Sequence, residues 1–312
     1  MDVILALADE YLLDRVWARL VPGTHALLHL PTQSHALSKN ASIIAPLSSW
    51  SIFQPPAIAS AWPRDHFTRQ ILSLTVITLI GICVLYFLFA SLSFYFIFNH
   101  DMMRHPRFLP NQVRLEIICS LWAFPGMTLL TLPFFLSEVR GHTRLYDKVE
   151  DYGWPYLIAS VPIFLLFTDY CIYWIHRWLH VPFLYKRLHK PHHKWIIPTP
   201  YASHAFHAVD GWAQSVPYHL FIYIFPLQRH LYLALFVFVN FWSILIHDSD
   251  MVTDHPLEKV INGPSHHTLH HIYFTCNYGQ YFTWADRAGG SYRQPQKELD
   301  PLLEVKMLKK AD

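Results

Sequence analysis

From Ile71 to Phe98 the chain runs for 28 residues without a charged side chain. Wound as an α-helix, that run is about 42 Å long, more than the roughly 30 Å of hydrocarbon in a bilayer. Water is absent at that depth, so every backbone N–H and C=O must be satisfied within the segment, as a helix does. This one run therefore constrains the chain to a helical membrane protein. Two further stretches agree with it. Ile117 to Leu136 is uncharged, with Pro125 and Pro133 tolerated as kinks, and Trp154 to Ile175 is interrupted only by Asp169.

Later in the chain, Gly211 to Gln228 and Leu231 to Ile246 are uncharged on either side of Arg229 and His230. At about 24 to 27 Å each, they predict a tight hairpin that just spans the bilayer or dips in and returns. A hairpin starts and ends on one side, so the segments before and after it share a compartment. The first 21 residues place Ile4, Ala8, Leu12, Val16 and Leu20 four apart among Asp9, Glu10, Asp14, Arg15 and Arg19, and Pro22-Gly23 follows. This predicts an amphipathic helix, lying in the headgroup region or packed on its own domain. No basic start precedes a cleavage site, so a signal peptide is not expected.

Four regions result: 1–70, amphipathic helix and irregular chain; 71–175, transmembrane helices; 176–295, a domain containing the hairpin (211–246); and 296–312, a tail. Three spans before residue 176 would place the N-terminal region across the membrane from that domain. The sequon Asn40-Ala41-Ser42 would then be lumenal. Lys309-Lys310-Ala311-Asp312 matches a dilysine retrieval signal, which predicts the endoplasmic reticulum membrane with a cytosolic C-terminus and active site.

Composition suits a membrane protein, at 53% hydrophobic and 15% charged. A net charge of +2 with no long basic run excludes nucleic acid as a partner. Cys83, Cys119, Cys171 and Cys276 form no C-x-x-C pair and read as apolar fillers. Histidine is the anomaly: there are 22, and 15 lie between His176 and His271. An excess so concentrated asks for a chemical reason.

The reason is in the spacing. His176 and His180 form H-x-x-x-H, while His189, His192 and His193, and again His267, His270 and His271, form H-x-x-H-H. On a helix, positions i, i+3 and i+4 share a face. Eight neutral imidazoles facing one site have no electrostatic purpose without metal, and imidazole suits iron, zinc, copper or nickel. A structural zinc site closes with four ligands, so the surplus argues for two metals. Redox-active iron beside an apolar cavity is what oxidation of an unactivated C–H bond requires.

His247, directly after the hairpin, is a candidate ninth ligand. His204 and His207 either support ligands from behind, line a substrate entrance, or are loop histidines satisfied locally. Asp169, two turns before His176 on the same face, is expected to orient a ligand imidazole or to pair with an arginine. A metal transporter, the non-enzymatic alternative, would carry ionisable groups along several spans, whereas these histidines cluster after and between them.

The three boxes resemble those of the fatty acid hydroxylase and sterol desaturase superfamily. Phe167-Thr168-Asp169, Tyr173 to Arg177, Leu188 to Trp195, Pro198 to His207, Ile261-Asn262-Gly263, Tyr278-Gly279-Gln280, Asp286-Arg287 and Gly289 to Arg293 are similar to its sterol C-5 desaturase branch. Weaker similarity, including Glu138-Val139-Arg140-Gly141, extends from the N-terminal helix to about Pro295. The resemblance implies an all-α enzyme of the endoplasmic reticulum, with a histidine-rich di-metal domain on the cytosolic face. It implies two iron ions held by the eight box histidines, dioxygen as co-substrate, and electrons from NAD(P)H through cytochrome b5. The implied reaction introduces the C-5 double bond into a delta-7 sterol. Asp248-Ser249-Asp250-Met251, where a glycine and an aromatic are expected, and an extra His266 depart from the pattern. They spare the metal site but leave open another sterol or polycyclic terpenoid as substrate. Hydroxylation also stays open, because both reactions begin with hydrogen abstraction.

Overall fold

A computed structural model describes residues 1–23 and 59–311; the sequon at Asn40 lies outside them. The protein is built from helices, as the apolar runs require. α1 (Asp2–Ala8) and α2 (Asp14–Leu20) are joined by a π turn, Asp9–Leu13, into one continuous rod. Leu5, Trp17 and Ala18 face inward, and Trp17 Nε1 donates to Ser73 Oγ at 3.0 Å. Buried Arg69 pairs with Asp9 at 2.6 Å and with Asp14. Leu7, Tyr11, Leu12 and Leu20 remain exposed on the other face. The segment therefore packs on its own domain, and it also offers an apolar stripe outward.

Three helices are long and apolar enough to cross a bilayer: α3 (Phe67–Phe96), α4 (Gln112–Val139) and α5 (Gly153–Leu179). Pro125, Pro133 and Pro162 sit inside these helices without ending them. α1 and α2 lie against the start of α3 and the end of α4, where Arg140 Nε donates to Gln70 Oε1 at 3.0 Å. The histidine boxes lie at the opposite end, beyond the end of α5.

Short elements shape the histidine domain: α6 (Pro182–Leu184), a π turn (Tyr185–His189), and 3-10 turns at His192–Lys194 and Pro200–His204. Then come α7 (Ala208–Ile224), α8 (Arg229–Leu245), α9 (Pro264–Tyr273), α10 (Trp284–Ala288) and α11 (Pro301–Ala311). Between α4 and α5, strand β1 (Leu145–Tyr146) pairs in parallel with β2 (Leu227–Gln228), the turn of the α7–α8 hairpin. The hairpin therefore runs the whole way to the end away from the boxes.

It is not the tight pair that the sequence suggested. α7 packs on α4 and α5, α8 packs on α3, and the two barely meet along their backbones. Tyr218 and His219 on α7 and Tyr232 and Phe236 on α8 stand between them and line a cavity of about 570 Å³. Bulky side chains on facing positions hold the helices apart and leave room for a ligand.

Buried Glu116 on α4 accepts from Gln112 Nε2 at 2.7 Å and from the backbone N–H and hydroxyl of Thr199. Tyr86 on α3 donates to the Tyr201 carbonyl at 2.9 Å. These bonds fix the 3-10 turn carrying His204 against α3 and α4.

Candidate metal centre

The last turns of α5 carry His176 and His180, and the irregular chain after it carries His189, His192 and His193. His247 follows α8, and α9 carries His267, His270 and His271. The structure draws these nine into two groups whose ligand atoms lie within 4.8 Å of one another: His176, His180, His189, His193 and His270, and His192, His247, His267 and His271. Within each H-x-x-H-H box the outer histidines share one group and the middle one joins the other. His189 and His193 go with the first group and His192 with the second; His267 and His271 go with the second and His270 with the first. Each box thus ties the two groups together.

The Nε2 atoms converge, and five of the nine rings are held from behind through Nδ1. Nε2 atoms face one another at 3.2 Å for His176 and His189, and at 3.1 Å for His193 with each of His180, His189 and His270. In the second group the separations are 3.0 Å for His267 and His247, 3.1 Å for His271 and His267, and 3.4 Å for His247 and His192. Behind them, Nδ1 donates to backbone carbonyls: His176 to Tyr278, His270 to Cys276, His271 to Trp195 and His247 to Ser243, at 3.0, 2.7, 2.9 and 2.6 Å. His189 Nδ1 donates instead to Asp210 Oδ2 at 2.7 Å.

A neutral imidazole has one N–H, so a ring that donates from Nδ1 presents a bare lone pair at Nε2. His176 and His189 both donate in this way and still bring Nε2 atoms to 3.2 Å. Two acceptors cannot bond to each other, and opposed lone pairs in a buried site repel unless a cation lies between them. Burial first, then neighbouring imidazoles, hold His192, His193, His267, His270 and His271 well below the ordinary histidine value. Burial pushes His247 down to about 4. These rings are neutral donors at pH 7, the state a metal ligand needs, so the residues present fit two metal ions.

The supporting acids differ from expectation. Among the described residues, Asp169 hydrogen-bonds to no imidazole and no arginine. Its Oδ1 accepts from the backbone N–H groups of Gln280, Tyr281 and Phe282 at 3.0, 2.7 and 3.2 Å. It holds the loop whose Tyr278 carbonyl steadies His176, so its effect on the ligand passes through backbone. The two-turn spacing put Asp169 on the right face but not at the right height. Among the described residues, the carboxylate that holds an imidazole of the two groups is Asp210, with no signal in the boxes. A lone acid beside the uncharged run from Gly211 could have revealed it, because buried acids need partners. Asp286, part of the resemblance but given no role there, accepts from the N–H of Tyr278 and Gly279 at 2.9 and 2.8 Å.

His204 is buried and lines the cavity. His207 does neither: its Nδ1 accepts from Val209 N–H at 3.2 Å and caps α7, so it is a loop histidine satisfied locally. His266 is buried outside both groups. The cavity reaches both groups at one end, where His176, His192, His247 and His267 line it, and runs between α3, α4, α7 and α8. Gly211 keeps this passage, because a Cβ there would strike the Phe206 ring at 2.0 Å.

The fatty acid hydroxylase family profile matches residues 161–291, which include all nine histidines. The chain is 50% identical over 308 residues to Delta(7)-sterol 5(6)-desaturase ERG3B of Gibberella zeae, covering 98% of this chain and 93% of that protein. It is 47% identical over 322 residues to Delta(7)-sterol 5(6)-desaturase erg3C of Aspergillus fumigatus, covering 97% and 92%. With lathosterol oxidase of Mus musculus it shares 49% over 255 residues, covering 81% and 85%. No solved structure matches it. Similarity of this depth over nearly the whole length shows that the chain belongs to the Delta(7)-sterol 5(6)-desaturase family within the fatty acid hydroxylases.

Proposed function

We propose that the protein is a membrane-bound, non-haem di-iron oxidase that introduces the C-5 double bond into a delta-7 sterol. The observation that carries this reading is that histidines of both groups line one end of a single apolar cavity. His176, His180, His189, His193 and His270 would hold one ion, and His192, His247, His267 and His271 the other. Five imidazoles on one centre exceed the four of a closed zinc site, and a donor set without thiolate suits iron. Iron, when bound, supplies the one-electron chemistry through which dioxygen removes hydrogen from an unactivated C–H bond.

The protein's own part is binding, orientation and exclusion of water. A rigid ring system lying along α3, α4 and α8 presents one edge to the histidine end, and with two neighbouring C–H bonds on that edge both hydrogens leave from one pose. The sterol gives up two hydrogens, a donor supplies two electrons, the solvent supplies two protons, and dioxygen ends as two waters. Cytochrome b5, fed by NAD(P)H, is the donor implied by the sequence resemblance. An endoplasmic reticulum enzyme whose site faces the cytosol is what the sequence resemblance implies, and the N-terminal rod stands at the end away from the histidines.

Expression in cells lacking their own sterol C-5 desaturase, followed by mass spectrometry, tests the reaction. A delta-5,7 diene without a stable alcohol is expected. An alcohol as the sole product, or turnover only of a non-sterol terpenoid, would remove the C-5 assignment.

A further inference from the structure

Among the polar side chains of the mostly apolar cavity wall, one buried pair is only loosely joined. His204 Nε2 lies 3.4 Å from Asn240 Oδ1, at the long limit for a hydrogen bond. The atoms around the pair fix which partner donates. Asn240 Nδ2 donates to the Phe236 carbonyl at 2.7 Å, so Oδ1 is the amide atom turned toward His204. An oxygen there requires the imidazole proton on Nε2, which leaves Nδ1 to accept from the Ser203 hydroxyl at 3.0 Å. Side by side on the wall stand a donor and an acceptor, each able to take a better partner. Val84, Leu85, Phe236 and Val239 also line the cavity and offer no hydrogen bond.

We infer that His204 and Asn240 form a binding subsite for a hydroxyl group on the substrate, accepting from His204 Nε2–H and donating to Asn240 Oδ1. An alcohol oxygen has one proton and two lone pairs, which matches this pair with one bond to spare. A carboxylate or phosphate has no proton for Asn240 and would meet no cation here. His204 is neutral as well as buried, and burial pushes it down to about 4. The ligand is therefore a neutral alcohol on an apolar frame.

Position supports the same assignment. Asn240, Ser243 and His247 follow one face of α8, so the subsite lies about 10 Å along the axis from a metal-group histidine. In a sterol the hydroxyl-bearing carbon is two bonds from C-5, so one rigid molecule can touch the subsite while its C-5 edge faces the histidines. The subsite rests on the sterol reading of the cavity and deepens it: the hydroxyl sets how far the ring system slides toward the histidines, which makes His204 and Asn240 positioning residues.

The test compares a delta-7 sterol with its 3-deoxy analogue, by equilibrium binding to the iron-loaded full chain in nanodiscs. The wild type should favour the sterol on the order of 10- to 100-fold. Asn240→Leu and His204→Phe should each bring that ratio close to one by weakening the sterol alone, with iron content unchanged. His204→Gln keeps an N–H donor and should recover part of the preference. Equal binding of both ligands by the wild type, or a preference that survives both apolar variants, would overturn the subsite. Diene formation in the same samples separates the two readings, because hydroxyl preference without any diene removes C-5 desaturation and leaves the subsite standing.

Discussion

Asp210 Oδ2 lies 2.7 Å from His189 Nδ1, and neither side chain has any solvent exposure. The contact fixes the imidazole with Nε2 toward the first histidine group and raises its donor strength. Asp210 is held in turn by Gln214 Nε2, which donates to Oδ1 at 2.8 Å. Asp210→Asn should weaken metal retention about 10- to 100-fold, the usual effect of losing a carboxylate behind a ligand histidine. Half-stripping of iron by a chelator at correspondingly lower concentration is the expected reading. An unchanged stripping curve would assign Asp210 to packing alone.

Asp169 makes a different prediction. One of its oxygens accepts all three loop N–H groups, so an amide oxygen can take its place. Asp169→Ala should lower stability by about 1–3 kcal/mol, read as thermal unfolding in detergent, and Asp169→Asn should recover most of the loss. An asparagine variant as unstable as alanine would mean that the charge, and not the acceptor, is what the site needs.

These two acids show where the sequence is readable. The eight box histidines stand out by spacing and excess, because a helix face or tight turn projects i, i+3 and i+4 together, and His247 stands out only by following the hairpin directly. The allocation between groups is not readable, since it depends on how α9 faces the irregular chain after α5. Asp169 was visible as an acid in an apolar run, but its target is a loop over 100 residues away. His204 and His207 look alike in Ser203-His204-Ala205-Phe206-His207, and only the start of α7 separates a cavity wall from a helix cap. The spans were legible from uncharged length. The cavity was not, because splaying of α7 from α8 follows from the bulk of side chains that meet only in three dimensions.

The fold also predicts sidedness. The N-terminal rod and the histidine domain sit at opposite ends of α3, α4 and α5, so three crossings would put a bilayer between them. In a background without the four native cysteines, Glu10→Cys and Lys190→Cys place exposed thiols at the two ends. A membrane-impermeant maleimide applied to sealed vesicles should label one and spare the other until detergent is added. Labelling of both in intact vesicles would contradict three crossings.

The central claim is that each chain holds two iron ions in separate histidine groups, and counting metal in the purified protein tests it most directly. The wild type should contain two iron atoms per chain. His270→Ala, in the five-histidine group, and His267→Ala, in the four-histidine group, should each fall toward one iron while the chain still inserts in the membrane. A fully active wild-type protein carrying a single metal ion, or zinc in place of iron, would contradict the account.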